Sequence, residues 1–258
     1  MQIESTQNPK FKSMLRWREK SSVRRKDGIC LVEGLREAKR ALSSGWTPIL
    51  AFHREGIELD LPLRSFSCGS SVFDRLVVRK GTAEILVAFE PKRWTLDHLE
   101  LPQNALLLIA DGTEKPGNLG AMLRTANAAA VDAVISSSSA VDLYAPEVVR
   151  NSLGGLFGTP SVEVPREVVQ KWLMEHGFQT FQMHLEGSIS AFETPLTGRV
   201  AIVVGAEDAG LDSSWHRISA NRIKLPMSGV VDSLNVSVAA AIVLYESVRQ
   251  RTKGASFR

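Results

Sequence analysis

Three short segments in the second half of the chain carry polar and glycine residues at positions where they could hold a ligand. The segments are Asn118–Ala126, Gly205–Gly210 and Leu225–Ala239. In the first segment, Asn118 is predicted to cap a helix, and Arg124 follows less than two helical turns later. The Arg124 guanidinium could therefore reach the same crevice at the carboxyl edge of the sheet as Asn118. A capped helix with a surface arginine is the alternative interpretation.

The second segment is a turn that follows a continuously apolar strand, Val200–Val204. Glycines at both ends of the turn, Gly205 and Gly210, allow a tight bend and a close approach of the backbone to a ligand. Exposed amides and carbonyls of such a turn could recognise an adenine edge, and Glu207 adds a carboxylate. A purely structural turn explains this segment equally well when it is considered alone.

The third segment leaves the sheet at Pro226, because proline cannot donate a hydrogen bond to a central strand. Ser233 is then predicted to cap the last helix, with Asn235 and Ser237 in or near its first turn. Buried amides and hydroxyls need hydrogen-bond partners. This combination therefore favours a polar ligand site over a dry core.

Alternating strands and helices are predicted to position these segments. The expected strands are 105–110, 132–136, 161–164, 178–183, 200–204 and 222–225, and the expected helices are 119–130, 145–153, 166–176, 212–217 and 233–250. This alternation predicts an α/β fold with a mainly parallel sheet and helices on both faces. A Rossmann-type oxidoreductase is disfavoured, because no Gly-x-Gly-x-x-Gly turn follows an early strand.

The N-terminal part is predicted to be a separate, smaller α/β domain over residues 1–92. A linker over 93–104 then precedes the second domain, which covers residues 105–258. The elements expected in the first domain are a helix at 6–20, a strand at 29–32, a helix at 35–43, a strand at 49–53, a helix near 70–77 and a strand at 83–89.

Basic residues are concentrated in the N-terminal part, although the net charge of the 258 residues is only +3. Phe11 and Trp17 are interleaved with them. The cluster consists of Lys10, Lys12, Arg16, Arg18, Lys20, Arg24, Arg25 and Lys26. Such a composition suits contact with phosphates and stacking on bases, and a solvated helix surface is the alternative.

Several classes of protein are disfavoured by the sequence. Its longest apolar stretches are far shorter than the roughly 20 residues that cross a bilayer, and the N-terminus carries no apolar signal segment. We therefore expect a cytoplasmic protein without a membrane partner. The two cysteines, Cys30 and Cys68, form neither a disulfide framework nor a zinc-binding spacing, so no metal is expected.

Taken together and in order, the three segments resemble the motifs of the SpoU/TrmH family of RNA ribose 2′-O-methyltransferases, in the SPOUT superfamily. The resemblance extends over residues 105–250, and the segment 143–154 resembles the family's second helix. The first domain resembles, more loosely, a ribosomal-protein-like substrate-binding domain, through Arg24–Lys26 and Leu31–Ala38. The resemblance implies a trefoil-knotted sheet, a rare connectivity, and a homodimer with the last helix near its interface.

The resemblance also implies a set of site residues. The catalytic residues would be Arg124, Asn118, Glu207, Ser233 and Asn235. The cofactor, S-adenosylmethionine, would contact Gly205, Leu225, Met227, Gly229, Leu234 and Ala239. RNA would contact Arg24, Arg25, Lys26 and Arg36. S-adenosylhomocysteine would be the product.

The reaction itself suggests a role for each catalytic residue. A ribose 2′-hydroxyl is a poor nucleophile, so the protein must align the oxygen and stabilise alkoxide charge. Arg124 fits that role better than the role of a free base, because arginine stays protonated. Glu207 is expected to orient Arg124 or the substrate, while Ser233 and Asn235 fix the loop and the ribose.

Structured RNA is therefore the expected partner, with ribosomal RNA favoured over transfer RNA. A non-catalytic RNA-binding or assembly factor on the same fold is the further alternative. The sequence does not specify the modified nucleotide or distinguish a housekeeping role from antibiotic resistance. One departure from the family pattern bears on substrate choice: Lys115 stands where many relatives have an aspartate before the proline.

Overall fold

The structure of the chain is a computed structural model that describes residues 2–3, 5–59, 61, 63–187, 189–219 and 221–252. The strands are β1 (Gln2–Ile3), β2 (Cys30–Glu33), β3 (Thr47–Arg54), β4 (Ser65–Cys68), β5 (Ile85–Glu90), β6 (Leu106–Asp111), β7 (Ala133–Ser137), β8 (Ser161–Val164), β9 (Gln179–Met183), β10 (Ile189–Ser190), β11 (Val200–Val204) and β12 (Arg222–Lys224). The helices are α1 (Pro9–Glu19), α2 (Ser21–Asp27), α3 (Leu35–Ser43), α4 (Ser70–Phe73), α5 (Pro116–Ala128), α6 (Pro146–Ser152), α7 (Gly155–Gly158), α8 (Arg166–Glu175) and α9 (Val236–Arg251). Short 3₁₀ helices cover Leu96–His98 and Ser213–Arg217.

The chain divides into two compact units. The first contains Met1–Lys92 together with Asp142–Gly158, and the second contains Arg93–Val141 together with Thr159–Arg258. The predicted organisation into a domain at 1–92, a linker at 93–104 and a domain at 105–258 stays a prediction.

The first unit is built on a mixed five-stranded sheet with the order β1-β4-β3-β5-β2. β3 is parallel to β4 and antiparallel to β5. Helix α1 buries Phe11 and Met14 completely, and the Phe11 ring meets Phe52 edge-on with 6.4 Å between centroids. Burial of such side chains stabilises the unit, because each removes a large apolar surface from water.

The second unit contains a seven-stranded sheet in which every recorded strand pair is parallel, in the order β10-β12-β9-β11-β6-β7-β8. Val200–Val204 and Leu106–Asp111 are buried along their whole lengths, as expected for central strands covered on both faces. The predicted α/β class with a mainly parallel sheet is confirmed.

Helices cover the two faces of this sheet. Successive residues of a strand point to opposite faces of the sheet. On one face, Leu107 and Val203 share a buried cluster with Trp172 of α8. Helices α5 and α9 contact each other as well as β7 and β11. The carboxyl ends of the strands are thereby left as the edge where connecting segments can form a site.

Two predicted helix caps are wrong. Ser233 does not cap the last helix, because Asn235 occupies that position and accepts a hydrogen bond from the Ser237 amide at 2.9 Å. Asn118 does not cap α5 either. That helix begins at Pro116 after Lys115, and proline suits the first helical position because its missing N–H would have had no partner there.

The last helix, α9, is 16 residues long and buries Ala240, Val243 and Leu244 in the second unit. Within the described ranges, no helix combines the length and the apolar character needed to cross a membrane.

Candidate active site

A cavity of about 670 Å³ lies in the second unit, where the segments after β9, β11 and β12 meet the start of α9. Its volume falls within the range of roughly 300–1,000 Å³ that is typical of small-molecule sites. It is lined by Lys115, Met183, His184, Leu185, Glu186, Val204, Gly205, Ala206, Glu207, Asp208, Ala209, Gly210, Leu211, Ile223, Lys224, Leu225, Met227, Asp232, Ser233, Leu234, Asn235, Val236 and Ala239.

The turn over residues 205–211, called here the glycine turn, forms one wall of the cavity. Ala206 and Gly210 exchange two backbone hydrogen bonds of 3.1 and 3.0 Å, which close the turn. A β-carbon on Gly205 would lie 2.3 Å from the carbonyl carbon of Gly210, well inside any real contact distance. Glycine is therefore required at position 205, because only a residue without a side chain allows this approach.

A chain of side-chain hydrogen bonds links three separate segments at the cavity. The Asn235 amide donates to the Asn118 carbonyl oxygen at 3.1 Å, and the Asn118 amide donates to the Glu207 carboxylate. Asn235 also accepts from the Ser237 hydroxyl at 2.6 Å. This chain holds the starts of α5 and α9 against the glycine turn.

One atom of this chain is left without a protein partner. The Oε2 atom of Glu207 is buried and accepts no hydrogen bond from any described residue. Buried carboxylate oxygens normally have a partner, because leaving one unsatisfied costs desolvation free energy. A donor supplied by a bound molecule would satisfy this oxygen.

Most of the predicted cofactor residues come together at the cavity. Of the described residues, Gly229 stays outside its lining, whereas five predicted contacts belong to it. The five are Gly205, Leu225, Met227, Leu234 and Ala239. The predicted catalytic residues Glu207, Ser233 and Asn235 also line the cavity, and Asn118 reaches it through its hydrogen bonds.

Arg124 differs from the other predicted catalytic residues. It is exposed on α5, does not line the cavity, and makes no hydrogen bond or ion pair within the described chain. The expected orientation of Arg124 by Glu207 is not made in this structure, because Glu207 is joined to Asn118. The Arg124 guanidinium is therefore available to an incoming substrate.

Behind the glycine turn lies a buried ionic network that sequence reasoning missed. Asp111, only 1% exposed, accepts hydrogen bonds from Ser137 at 2.7 Å and from the Trp215 indole at 2.9 Å. The Arg166 guanidinium donates to the same carboxylate at 2.9 Å. The available signal was an aspartate at the end of the otherwise apolar strand β6, where a buried charge needs partners.

Arg24, one of the residues predicted to bind RNA, is buried in the first unit and already paired. Arg24 is 5% exposed and pairs with Asp142 at 2.6 Å. Its other terminal nitrogen donates to the carbonyl oxygens of Trp17 at 2.7 Å and Arg18 at 3.1 Å. A phosphate could recruit this guanidinium only by leaving the buried Asp142 carboxylate uncompensated, which is strongly unfavourable.

The remaining predicted RNA-binding residues of the first unit are accessible. Lys26 is exposed. The side chain of Arg25 is 51% exposed and lies 3.9 Å from Asp142. The side chain of Arg36 is 65% exposed and pairs with Glu37 at 2.7 Å. Their role in RNA binding stays a prediction.

Neither metal coordination nor cysteine chemistry has a site in the part of the chain that the structure describes. No group of three or more His, Cys, Asp or Glu side chains there could hold a metal ion. Cys30 and Cys68 are free and buried. Burial raises the pKa of both thiols, that of Cys68 to about 11, so thiolate is scarce at neutral pH.

The sequence of residues 105–245 matches the family described as the SpoU rRNA Methylase family. This region covers more than half of the chain and contains every segment that lines the cavity. The chain belongs to the SpoU rRNA Methylase family.

Individual relatives agree with this assignment. A 23S rRNA (uridine(2479)-2′-O)-methyltransferase of Streptomyces viridochromogenes is 32% identical over 66% of this chain and 62% of its own length. A 23S rRNA (guanosine(2553)-2′-O)-methyltransferase of Bacillus subtilis is 29% identical over 95% of this chain and 98% of its own length. The chain spans less than two thirds of the length of the first curated relatives that it matches.

Solved structures show the same fold. The SpoU methyltransferase AviRb from Streptomyces viridochromogenes, in complex with the cofactor AdoMet, is 26% identical to this chain. Its TM-score is 0.89, with 96% of this chain and 100% of that chain covered. The likeness therefore includes the N-terminal part as well as the region of the family match.

Proposed function

We propose that the protein transfers a methyl group from S-adenosylmethionine (AdoMet) to a ribose 2′-hydroxyl of ribosomal RNA. The observation that carries this proposal is the cavity bounded by the glycine turn and joined to the Asn235–Asn118–Glu207 hydrogen-bond chain. Family membership and relatives named as 23S rRNA 2′-O-methyltransferases support the same activity.

The cavity suits AdoMet in size and chemistry. About 670 Å³ of space is bounded largely by residues of connecting segments, whose main-chain amides and carbonyls could recognise a nucleoside. The unpartnered Oε2 atom of Glu207 marks a place where a bound molecule should donate a hydrogen bond. A related protein of the same fold is described in complex with AdoMet.

The residues proposed to hold AdoMet come from three connecting segments. Gly205 lets the glycine turn close against Gly210 at the cavity wall, and Leu225 and Met227 contribute the wall after β12. Leu234 and Ala239 contribute the wall at the start of α9. Bound AdoMet would supply an electrophilic methyl group, so activation and alignment of the ribose oxygen remain the task of the protein.

Arg124 is proposed to perform the electrostatic part of that task. Its guanidinium carries a positive charge, so it can stabilise negative charge that develops on the ribose oxygen. Because the side chain is exposed and unpaired within the described residues, RNA can reach it without breaking an existing ion pair. Such charge stabilisation contributes roughly 100- to 1,000-fold to rate in other enzymes.

The Asn235–Asn118–Glu207 chain is proposed to position the ribose and the glycine turn relative to each other. Each of its side chains is fixed by a neighbour, so little rotational freedom is lost when substrate binds. Ser233 lines the same cavity and donates its hydroxyl hydrogen to Asp232 at 3.3 Å. The hydroxyl oxygen can still accept a hydrogen bond from the ribose.

The RNA partner is proposed to be ribosomal RNA, with Arg25, Lys26 and Arg36 of the first unit contacting phosphates. The named relatives act on 23S rRNA. Transfer RNA is the second candidate, because the solved structure of an A. aeolicus TrmH/SpoU tRNA modifying enzyme is 28% identical to this chain, covers 61% of it and has a TM-score of 0.51. A substrate on the ribosome implies a cytoplasmic location.

A homodimer is also proposed. Large apolar side chains near the start of α9 and along it are exposed, including Val231 at 63%, Val238 at 47% and Tyr245 at 49%. A second copy would remove this surface from water. Sedimentation equilibrium should give twice the chain mass, and a monomer at micromolar concentration would contradict the proposal.

Methyl transfer in vitro tests the function directly. The purified protein is incubated with tritium-labelled AdoMet and one RNA at a time: 23S rRNA, 16S rRNA or tRNA from a strain that lacks the gene. Label is expected in ribosomal RNA and in alkali-resistant dinucleotides, because a 2′-O-methyl group blocks alkaline cleavage. Label in tRNA alone would favour the tRNA alternative, and AdoMet binding without transfer to any RNA would favour a non-catalytic factor.

A further inference from the structure

The glycine turn is fixed at its start by β11, but its far end leads directly into an ion pair. Asp212 follows the last residue of the turn, and its carboxylate lies 3.1 Å from the Arg166 guanidinium. The same carboxylate accepts the Ser214 amide at 2.9 Å. Hydrogen bonding from the Ser214 side chain, then from its amide, and the charge of Arg166 hold the pKa of Asp212 below its usual range.

Arg166 is anchored by the buried network behind it. Its Nε atom donates to both Asp111 oxygens at 3.0 and 2.9 Å, and its backbone amide donates to the Ser138 hydroxyl at 3.0 Å. Asp111 is 1% exposed and Trp215, which donates to it, is completely buried. Arg166 therefore connects a rigid buried carboxylate to the partly exposed Asp212.

A second contact places the same guanidinium beside the turn. Gly112 follows Asp111 with a φ of +63°, and a β-carbon there would lie 3.7 Å from the Ala206 β-carbon. The same point lies 4.0 Å from the Arg166 Nη2 atom. Ala206 and Arg166 thus flank Gly112 on the side of the turn that faces the buried network.

The exposed middle of the turn has few contacts of its own. Asp208, Ala209 and Gly210 are exposed, and the backbone hydrogen bonds inside the turn are the two between Ala206 and Gly210. Glu207 is held by Asn118. Leu211 packs against the buried cluster that contains Trp215, so loss of the Asp212 anchor would loosen the exposed part of the turn without releasing its far end.

We propose that Arg166 is a positioning residue, and that its bridge between Asp111 and Asp212 holds the glycine turn in the shape that binds AdoMet. The inference rests on the proposed function, because AdoMet is the ligand whose affinity the bridge would set. Arg166 lies outside the cavity lining and acts through Asp212 on main-chain atoms of residues 205–211.

The test is the substitution Asp212→Asn. In this variant, D212N, the side-chain amide would keep the cap on the 3₁₀ helix, because its oxygen can also accept the Ser214 N–H. The ion pair with Arg166 would be lost. Glu175→Gln is the matched control, since it removes a carboxylate that pairs with Lys171 at 3.7 Å on the exposed surface of α8.

Two readouts separate positioning from general structure. For D212N the KM for AdoMet is expected to rise about twofold to fivefold, as for loss of a partly exposed ion pair, while kcat at saturating AdoMet stays within about twofold. Hydrogen exchange at the amides of residues 206–211, measured without AdoMet, is expected to accelerate by a similar factor. The control variant should match the wild type in both measurements.

Unchanged exchange in the turn of folded D212N would overturn the proposal, and so would an unchanged KM for AdoMet. A lower kcat together with a lower melting temperature would also overturn it, because this combination would indicate a structural role only. If the wild type bound no AdoMet, the proposed function would fail, and the exchange measurement would still decide whether the bridge holds the turn.

Discussion

Replacement of Gly205 by alanine should sharply weaken AdoMet binding. The new β-carbon would lie 2.3, 2.4 and 2.6 Å from the Gly210 carbonyl carbon, the Gly210 oxygen and the Leu211 nitrogen. These are backbone atoms, so no side-chain rotation can relieve the overlap. The two sides of the turn must separate by at least 0.7 Å, the difference between 2.3 Å and the 3.0 Å limit of real contacts.

The size of the effect follows from the cost of such overpacking. Inserting one methyl group into a closed site costs about 1–3 kcal/mol, which corresponds to about a 5- to 150-fold loss of affinity if the cost falls on the bound form. Titration calorimetry with S-adenosylhomocysteine measures this loss. Gly69→Ala is the control, because a β-carbon at Gly69 would meet no atom within 4 Å. A folded G205A protein with wild-type affinity would refute the assignment of this turn to the cofactor.

Three further predictions concern Arg124, the buried Arg24–Asp142 pair and the two thiols. Arg124→Ala should lower methyl transfer by roughly 100-fold or more in a single-turnover tritium assay, while the Kd for S-adenosylhomocysteine stays within about twofold; normal turnover would contradict the role of Arg124. Arg24→Met should lower the free energy of unfolding by about 3–5 kcal/mol in urea titrations, because it leaves the buried Asp142 carboxylate unpaired; the double variant with Asp142→Leu should recover part of the loss, and a neutral R24M would refute the pairing. Cys30 and Cys68 should not react with Ellman's reagent at pH 8 until denaturant is added, because burial raises the pKa of both thiols and so lowers their thiolate fraction at that pH; rapid reaction of the native protein would contradict their burial.

The parallel sheet could be predicted from the sequence because its central strands are nearly continuous apolar runs. The predicted strands 161–164 and 200–204 have the same bounds as β8 and β11. The short strand β10 was missed, since two residues are too few for a periodic pattern. Helix α2 was missed because its basic sequence shows no apolar periodicity.

The helix starts were harder to predict, for a local reason. Ser233 and Asn235 are both good capping residues two positions apart, and sequence alone does not decide which side chain accepts the first amide. At α5 the stronger signal was Pro116, whose fixed φ and missing N–H suit the first helical position. Asn118 was thereby released from capping and joined the chain with Glu207 and Asn235.

The errors in the candidate site came from contacts between distant positions. Arg24 was predicted to face solvent within a basic cluster, but its partner Asp142 lies 118 positions away. The link between Asp111 and Arg166 spans 55 positions. No local pattern predicts such pairs, because they depend on how strands and helices pack rather than on the neighbours of each residue.

Mapping of ribose methylation in cells tests the central claim most directly. Ribosomal RNA is isolated from a strain that lacks the gene, complemented with the wild type or with Arg124→Ala, and its 2′-O-methylated nucleotides are identified by mass spectrometry. We predict that one ribose methylation of ribosomal RNA disappears on deletion, returns with the wild type and stays absent with R124A. An identical ribosomal RNA methylation pattern in all strains would contradict the account.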